Sequence, residues 1–322
     1  MNNTLFPFEE VKEKIAQAQS ITILTHINPD GDTLGTALGI YALLIKEKGK
    51  KVEVVNASKD LPRYLDFLPY YEKIKHKMEY GDSLIISCDC GSVDRLGFDV
   101  TGRDILNIDH HKSNTMYGSI NVVLDGYASA SQVAYQLFEP MYDISAKVAT
   151  CFYTALFSDT LYFTTNLVND EVFSVAKTLL DKGANPNEIA YHFTQRRSLA
   201  SLRILQRVLA SLTLCEEAQI AVLSASKEDI LSSGAMVSDM DGMVDYGRSL
   251  QTVQIAVFAM ELEEGIRISL RSKKIDISCV AIAFGGGGHK TAAGFTIASS
   301  SLEKSIDKVL NKIKEMGLLH GI

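Results

Sequence analysis

The sequence predicts an α/β protein of two domains: a mostly parallel sheet with helices on both faces, joined by a long helix to a smaller α/β domain. Three observations carry that reading. Short β-branched runs alternate with amphipathic stretches through the first half of the chain, the pattern that builds parallel sheets with crossover helices. The segment Gly183-Ala-Asn-Pro-Asn187 stops one helix and starts another, marking an edge between domains. The chain has 322 residues, 46% of them hydrophobic and only six proline, enough for two cores and unlike a disordered or fibrous protein.

In order, Ile21 to Thr25 reads as a buried strand, and Thr33 to Lys48 as a helix ended by Gly49. Lys51 to Asn56, Ser83 to Asp89 and Asp104 to Asp109 follow as strands, then Ser129 to Tyr142, Ser145 to Phe157 and Asp170 to Lys182 as helices. One helical pattern then runs from about Asn187 to Leu214. Beyond it come strands at Gln219 to Ser224, Thr252 to Met260 and Gly265 to Arg271, and a closing helix from Leu302 to Met316. The expected domains are 1–185, a helical linker 186–214, and 215–322.

Composition excludes several functional classes. The net charge of -7 argues against a protein that coats long duplex nucleic acid, a mode that needs many Lys and Arg to displace counterions. A short or mononucleotide partner remains compatible with it. No apolar run approaches the roughly 18 residues of a membrane span, and the N-terminus lacks a basic region followed by an apolar stretch. Five scattered cysteines with no C-x-x-C pair suit a reducing compartment, so a cytoplasmic location is expected.

Four places deliver acids or histidines at the end of an apolar element. The first strand runs into Thr25-His26-Ile-Asn-Pro29-Asp30-Gly31-Asp32, where Pro29 and Gly31 bend the chain so that His26, Asp30 and Asp32 can converge as metal ligands do. The alternative for this turn is simpler: Asp32 caps the following helix. The others are Ser87-Cys-Asp89-Cys-Gly91, Ile108-Asp109-His110-His111 and Phe157-Ser-Asp159-Thr160. Apolar flanks make a solvated face a poor explanation for any of them. Asp30, Asp32, Asp89 and Asp159 sum to four negative charges, which two divalent cations would balance. With His26 and His110 the donors mix nitrogen and oxygen, favouring manganese over calcium.

In that order the four segments resemble the motifs of the DHH phosphoesterase family. Ser269-Leu270-Arg271-Ser272-Lys273, then Phe284-Gly-Gly-Gly-Gly288-His289-Lys290 and Ala292-Ala293-Gly294, resemble the family's C-terminal associated domain. The resemblance covers residues 20 to 295 and is to the nanoRNase and pAp-phosphatase branch. It implies that His26 and Asp30 hold one cation, that Asp32, His110 and Asp159 hold the other, and that Asp89 bridges them in a two-metal displacement. Asp109 would then fix the ring of a neighbouring histidine, leaving His111 for the phosphate or the leaving group. Arg271, Gly286, Gly287, Gly288 and His289 would grip the substrate through charge-assisted donors and exposed backbone N–H groups.

The function so implied is a manganese-dependent hydrolase of phosphoester bonds, degrading short RNA oligonucleotides to nucleoside monophosphates and removing the 3′-phosphate of pAp. It would act on small nucleotides in the cleft between the domains, away from membranes, and is open to forming a homodimer. Hydrolysis of c-di-AMP or its linear product pApA is the enzymatic alternative, and a nucleotide-binding regulator that has lost catalysis is the non-enzymatic one. Weaker features are Arg196, Arg203 and Arg207, spaced to form one helical stripe facing either the cleft or solvent, and Arg248, in a segment from Asp241 that resembles one of the family's but has Asp245 and Gly247 where the family often has Asn and Pro.

Overall fold

The structure, a computed structural model, describes residues 6–299 and 301–319, with His289 described only in its backbone. It divides into two compact units, Met1–Arg196 and Arg197–Ile322.

The first unit runs α1 (Phe8–Gln17), β1 (Ser20–Thr25), α2 (Gly31–Leu44), β2 (Lys51–Val55), β3 (Ile74–Lys75), β4 (Leu84–Cys88), β5 (Ile105–Asp109), β6 (Ile120–Val123), α3 (Ala130–Phe138), α4 (Ala146–Asp159), α5 (Asp170–Asp181) and α6 (Pro186–Thr194). Its six strands pair in parallel in the order β3-β2-β1-β4-β5-β6. The period of two sorts side chains between the faces. Ile21, Ile23, Val54, Ile86, Leu106 and Ile108 join α2 to α5 in one buried cluster; Leu24, Val55, Ile85 and Ile105 meet Leu96 and Val100 in a smaller one. The chain moves outward through β2 and β3, then returns to place β4 on the other side of β1. The β1/β4 junction is therefore a topological switch point, where open α/β sheets bind ligands at strand carboxyl ends.

Helix α2 packs tightly against α4 because its contact face carries glycine at every fourth residue. A Cβ on Gly31 would lie 2.4 Å from Ser158 Oγ, on Gly35 2.6 Å from the Cys151 carbonyl oxygen, and on Gly39 2.3 Å from Phe152 Cε1. This close approach brings the start of α2, with Asp30 and Asp32, beside the end of α4, with Asp159.

The second unit contains α7 (Leu199–Ala210), β7 (Thr213–Cys215), β8 (Ile220–Ala225), α8 (Lys227–Ser233), α9 (Val244–Arg248), β9 (Ile255–Leu262), β10 (Gly265–Ser272), α10 (Ser278–Ala283), β11 (Gly287–His289), β12 (Ala292–Ile297) and α11 (Leu302–Glu315). Its sheet is mixed, ordered β11-β12-β10-β9-β8-β7, with β8 and β9 parallel and the other pairs antiparallel.

The expected long helix from Asn187 to Leu214 is two helices. α6 ends at Thr194, and α7 begins after Ser198, whose hydroxyl accepts from the Ser201 N–H as its cap. Between them Arg196 is drawn to Asp66 by a two-armed ion pair, at 2.6 and 3.2 Å. The arginine stripe dissolves for the same reason: Arg196 lies outside α7, and Arg207, on α7, pairs with Asp229. Arg248 is engaged by Asp245 at 2.9 Å.

Candidate metal centre

The turn after β1 is held before its chemistry is considered. Buried Asn56 donates to Thr25 Oγ1 and to the His26 carbonyl, and the Ile27 N–H donates to the Arg95 carbonyl. Asp30, not Asp32, caps α2: its Oδ1 accepts from the backbone N–H groups of Asp32 and Thr33, and its Oδ2 lies 3.8 Å from His26 Nε2. Asp32 is thereby released for another role. Its buried carboxylate meets the start of α3, accepting from the Ala130 and Ser131 N–H groups and from the Thr36 hydroxyl. The Thr33 hydroxyl donates to the Cys88 carbonyl, tying α2 to the end of β4 one residue before Asp89.

Asp89 sits one residue past β4 in the left-handed region, with φ of 54°, a conformation that Asp tolerates better than most residues. Its N–H still donates to the Ile108 carbonyl, so the sheet holds the residue while the turn re-aims its side chain. The carboxylate is buried and faces two ways. Oδ2 lies 3.6 Å from His26 Nε2; Oδ1 lies 3.5 Å from His110 Nε2 and 3.3 Å from His111 Nδ1, and accepts no hydrogen bond. His110 Nε2 is in turn 3.7 Å from Asp32 Oδ2 and 3.4 Å from Asp159 Oδ2. Among the described residues two separate donor groups result, His26-Asp30-Asp89 and Asp32-His110-Asp159, and a third, Asp89-Asp109-His110-His111, overlaps both; within each, the ligand atoms lie within 4.8 Å of one another.

The two histidines are oriented as metal ligands are. His26 Nδ1 donates to the Ile27 carbonyl and His110 Nδ1 to the Tyr127 carbonyl, at 2.9 and 3.0 Å. A carbonyl only accepts, so in the neutral ring the proton is on Nδ1 and the Nε2 lone pair points at the carboxylates. An Asp89 carboxylate standing between two such rings, its buried Oδ1 orphaned, with four carboxylates converging in all, fits divalent cations.

The electrostatics without cations show the same demand. Burial, reinforced by Asp89, Asp159 and Asp30, pushes the Asp32 carboxyl well above the usual range. Burial with Asp89 and Asp30 nearby pushes Asp159 up to about 6. Burial would also raise Asp89, but the rings of His110 and His26 hold it well below the carboxylate range. Burial opposes a charged His110, yet Asp159, Asp89 and Asp32 lift it well above an ordinary histidine.

Asp109, fully buried at the end of β5, accepts from the His111 ring at 2.7 Å and the His110 N–H at 2.8 Å through Oδ1. The contact turns His111 Nε2 away from Asp109. A residue the sequence reading passed over completes the arrangement: Asn114 donates to Asp109 Oδ2 and to the Cys90 carbonyl, while its own Oδ1 accepts from Asn107. An Asn five residues after a buried Asp is the only sequence signal for it.

In the second unit, antiparallel register aligns Arg271 with Ala292 and Ala292 with His289 across three strands. Arg271 and the His289 backbone are thus two strands apart at one level of the sheet. The side chain of His289 lies outside the described residues. The glycine run is not a loop throughout: Gly287 and Gly288 belong to β11. Cβ atoms on Gly286 and Gly288 would lie 2.2 and 2.4 Å from the carbonyl oxygens of Gly294 and Ala292, and Gly288 has φ of 141°. The sheet itself therefore requires glycine at both. Gly287 differs, since a Cβ there would meet no described atom within 4 Å. Gly286→Ala and Gly288→Ala are expected to cost about 1–3 kcal/mol by overpacking, and Gly287→Ala under about 0.5 kcal/mol, in thermal or urea unfolding.

Residues 20–156 match the DHH family, N-terminal domain, and residues 217–316 match the DHHA1 domain. A protein of Thermus thermophilus named bifunctional oligoribonuclease and PAP phosphatase NrnA is 31% identical over 300 residues, 92% of this chain and 89% of that one. The chain belongs to the DHH family. A Bacillus subtilis protein of the same name is 23% identical over 90% of this chain and 93% of that one. Among solved structures, an exopolyphosphatase-related protein from Bacteroides fragilis superposes with a TM-score of 0.85 at 27% identity, covering 96% of each chain. As a DHH phosphoesterase this chain is a metal-dependent hydrolase acting on phosphoester bonds. No helix among the described residues is long and apolar enough to cross a membrane.

Proposed function

We propose that this DHH phosphoesterase hydrolyses short RNA oligonucleotides to nucleoside monophosphates and converts pAp to AMP, using two manganese ions. The observation that carries the reading is Asp89, whose two oxygens each face a separate histidine and carboxylate group at the sheet's switch point. His26, Asp30 and Asp89 would hold one cation, and Asp32, Asp89, His110 and Asp159 the other. Mixed nitrogen and oxygen donors suit manganese better than calcium. When bound, the pair supplies positive charge for the scissile phosphate and lowers the pKa of water.

The chain's own residues do the rest. Asp109 and Asn114 hold the His111 ring, which stands beside Asp89 with Nε2 directed away from Asp109, placed to donate a proton to a phosphate or leaving-group oxygen. Burial opposes a charged His111, but Asp109 and Asp89 raise its pKa, which favours the protonated ring. In the second unit, Arg271, Gly286, Gly287, Gly288 and His289 are the candidates for substrate binding. Names of the relatives from Thermus thermophilus and Bacillus subtilis support both substrates.

The deciding measurement is a rate series with Mn2+ over RNA length, with pAp, pApA and c-di-AMP alongside. The net charge of -7 limits how many phosphates the protein can neutralise, so cleavage is expected to be fastest at about two to five nucleotides. The salt dependence of kcat/KM should be shallow, since its log-log slope grows by roughly 0.7 per phosphate bound for single strands. Rates that keep rising past ten nucleotides with a steepening slope would refute the small-substrate reading, and turnover confined to c-di-AMP would replace it.

A further inference from the structure

The residues after Asp159 hold an unusual backbone. Leu161, Tyr162 and Phe163 all have positive φ, at 46°, 66° and 64°, a left-handed run that costs side-chain-bearing residues energy at every step. It folds the chain back over the last turn of α4: the Leu161 N–H donates to the Ser158 carbonyl and the Tyr162 N–H to the Phe157 carbonyl. What the fold gains is a stack of rings. Tyr162 lies on Phe157 with centroids 4.7 Å apart at 28° and meets Phe193 edge-on at 5.9 Å. Phe163 turns the other way and packs on Tyr153, Phe157 and Phe173.

Two things set Tyr162 apart from an ordinary packing residue. It remains 45% exposed although the ring beneath it, Phe157, is 8% exposed. It is also linked to residues of the candidate metal centre in two ways: it follows Asp159 by three residues, and its neighbour Phe193 has Cζ 3.5 Å from where a Cβ of Gly31, between Asp30 and Asp32, would be. A phosphate drawn to the carboxylate and histidine cluster would carry its nucleoside within reach of an aromatic surface held firm from below. Stacking on such a ring is sequence-tolerant, because every base presents a π-face.

We infer that Tyr162 is a base-stacking residue, binding the nucleobase of the nucleotide whose phosphate lies at the metal centre. This deepens the reading of the protein as a nucleotide phosphoesterase. It also assigns a purpose to the left-handed run, which presents Tyr162 outward while Phe163 anchors the turn inward.

The test compares binding of AMP and of ribose 5-phosphate, the same phosphate without the base, to Mn2+-loaded protein by titration calorimetry, so that no turnover is needed. Tyr162→Ala is expected to weaken AMP by roughly 5- to 150-fold, the range that base stacking commands, and to leave ribose 5-phosphate unchanged. Tyr162→Phe and Tyr162→Trp should keep AMP affinity within about threefold of the parent, since each retains an aromatic face. Mn2+ affinity measured on the same variants reports whether Asp159 has moved. Unchanged AMP affinity in Tyr162→Ala would overturn the assignment, and so would equal losses for AMP and ribose 5-phosphate or a loss of Mn2+. Failure of the phosphoesterase reading would show separately, as wild-type protein that binds AMP in this manner and hydrolyses neither short RNA nor pAp.

Discussion

Asp89→Ala is expected to lower turnover of a short RNA by more than about 10³-fold in a protein that still folds. Losing a partner that merely orients a metal ligand costs 10- to 100-fold, and this substitution removes a carboxylate that itself faces both donor groups at once. His26 and Asp30 would be left as one group and Asp32, His110 and Asp159 as another, without the carboxylate that joins them. Stability should change far less, because the substitution also removes one of four crowded negative charges. The measurement pairs kcat/KM with bound Mn2+ and the unfolding midpoint. A folded Asp89→Ala protein within tenfold of wild type would remove the two-cation reading.

Chelation should produce the second large effect, and its size should depend on pH. A ligand present at 100 times its dissociation constant stabilises the folded state by about 2.7 kcal/mol. For the first unit, which ends at Arg196 and carries the centre, that corresponds to a fall in Tm of roughly 5–10 °C when the cations are removed. Cations bind only deprotonated ligands. Asp159, with its carboxyl near 6, and His110, raised well above an ordinary histidine, both retain protons in the metal-free protein as the pH falls through that range. Raised folded-state values mean that the metal-free protein is more stable with these protons bound and loses that contribution as pH rises through about 6 and beyond. Metal-loaded protein moves the opposite way, because less proton competition means tighter binding. The gap in Tm between loaded and chelated protein is therefore expected to widen from pH 5 to pH 7. A gap independent of pH across that window would show that these groups are not the ligands.

Much of the candidate site was legible because its acids follow apolar strands. Ile85 and Ile86 before Asp89, and Ile105 to Ile108 before Asp109, leave those acids only the strand end, and strand ends are where parallel sheets bind ligands. The identity of the helix cap was not legible. Asp30 and Asp32 are equally good caps by type, and only the packing of α2 beside α3 shows that Asp32 is held by the Ala130 and Ser131 N–H groups, 98 and 99 residues away. The break between α6 and α7 was hidden for a similar reason. Arg196 continues a helical pattern locally, and its partner Asp66 lies 130 residues distant. The glycines at 31, 35 and 39 did carry a usable signal, since spacing by four on a helix predicts close approach to a partner.

The sequence by itself determined that acids and histidines stand at the ends of buried elements, in an order shared with one family of phosphoesterases. That follows from local rules: apolar runs bury, and charged residues interrupt them only where the chain emerges. Tertiary structure decided which acid shares which cluster. β4 lies beside β1 although β2 and β3 intervene in the chain, and that pairing is what places Asp89 between His26 and His110. The physical reason is that parallel pairing is set by crossovers and by packing of distant helices on the sheet faces. A strand's own residues state that it is buried, and its neighbours are chosen by the rest of the fold.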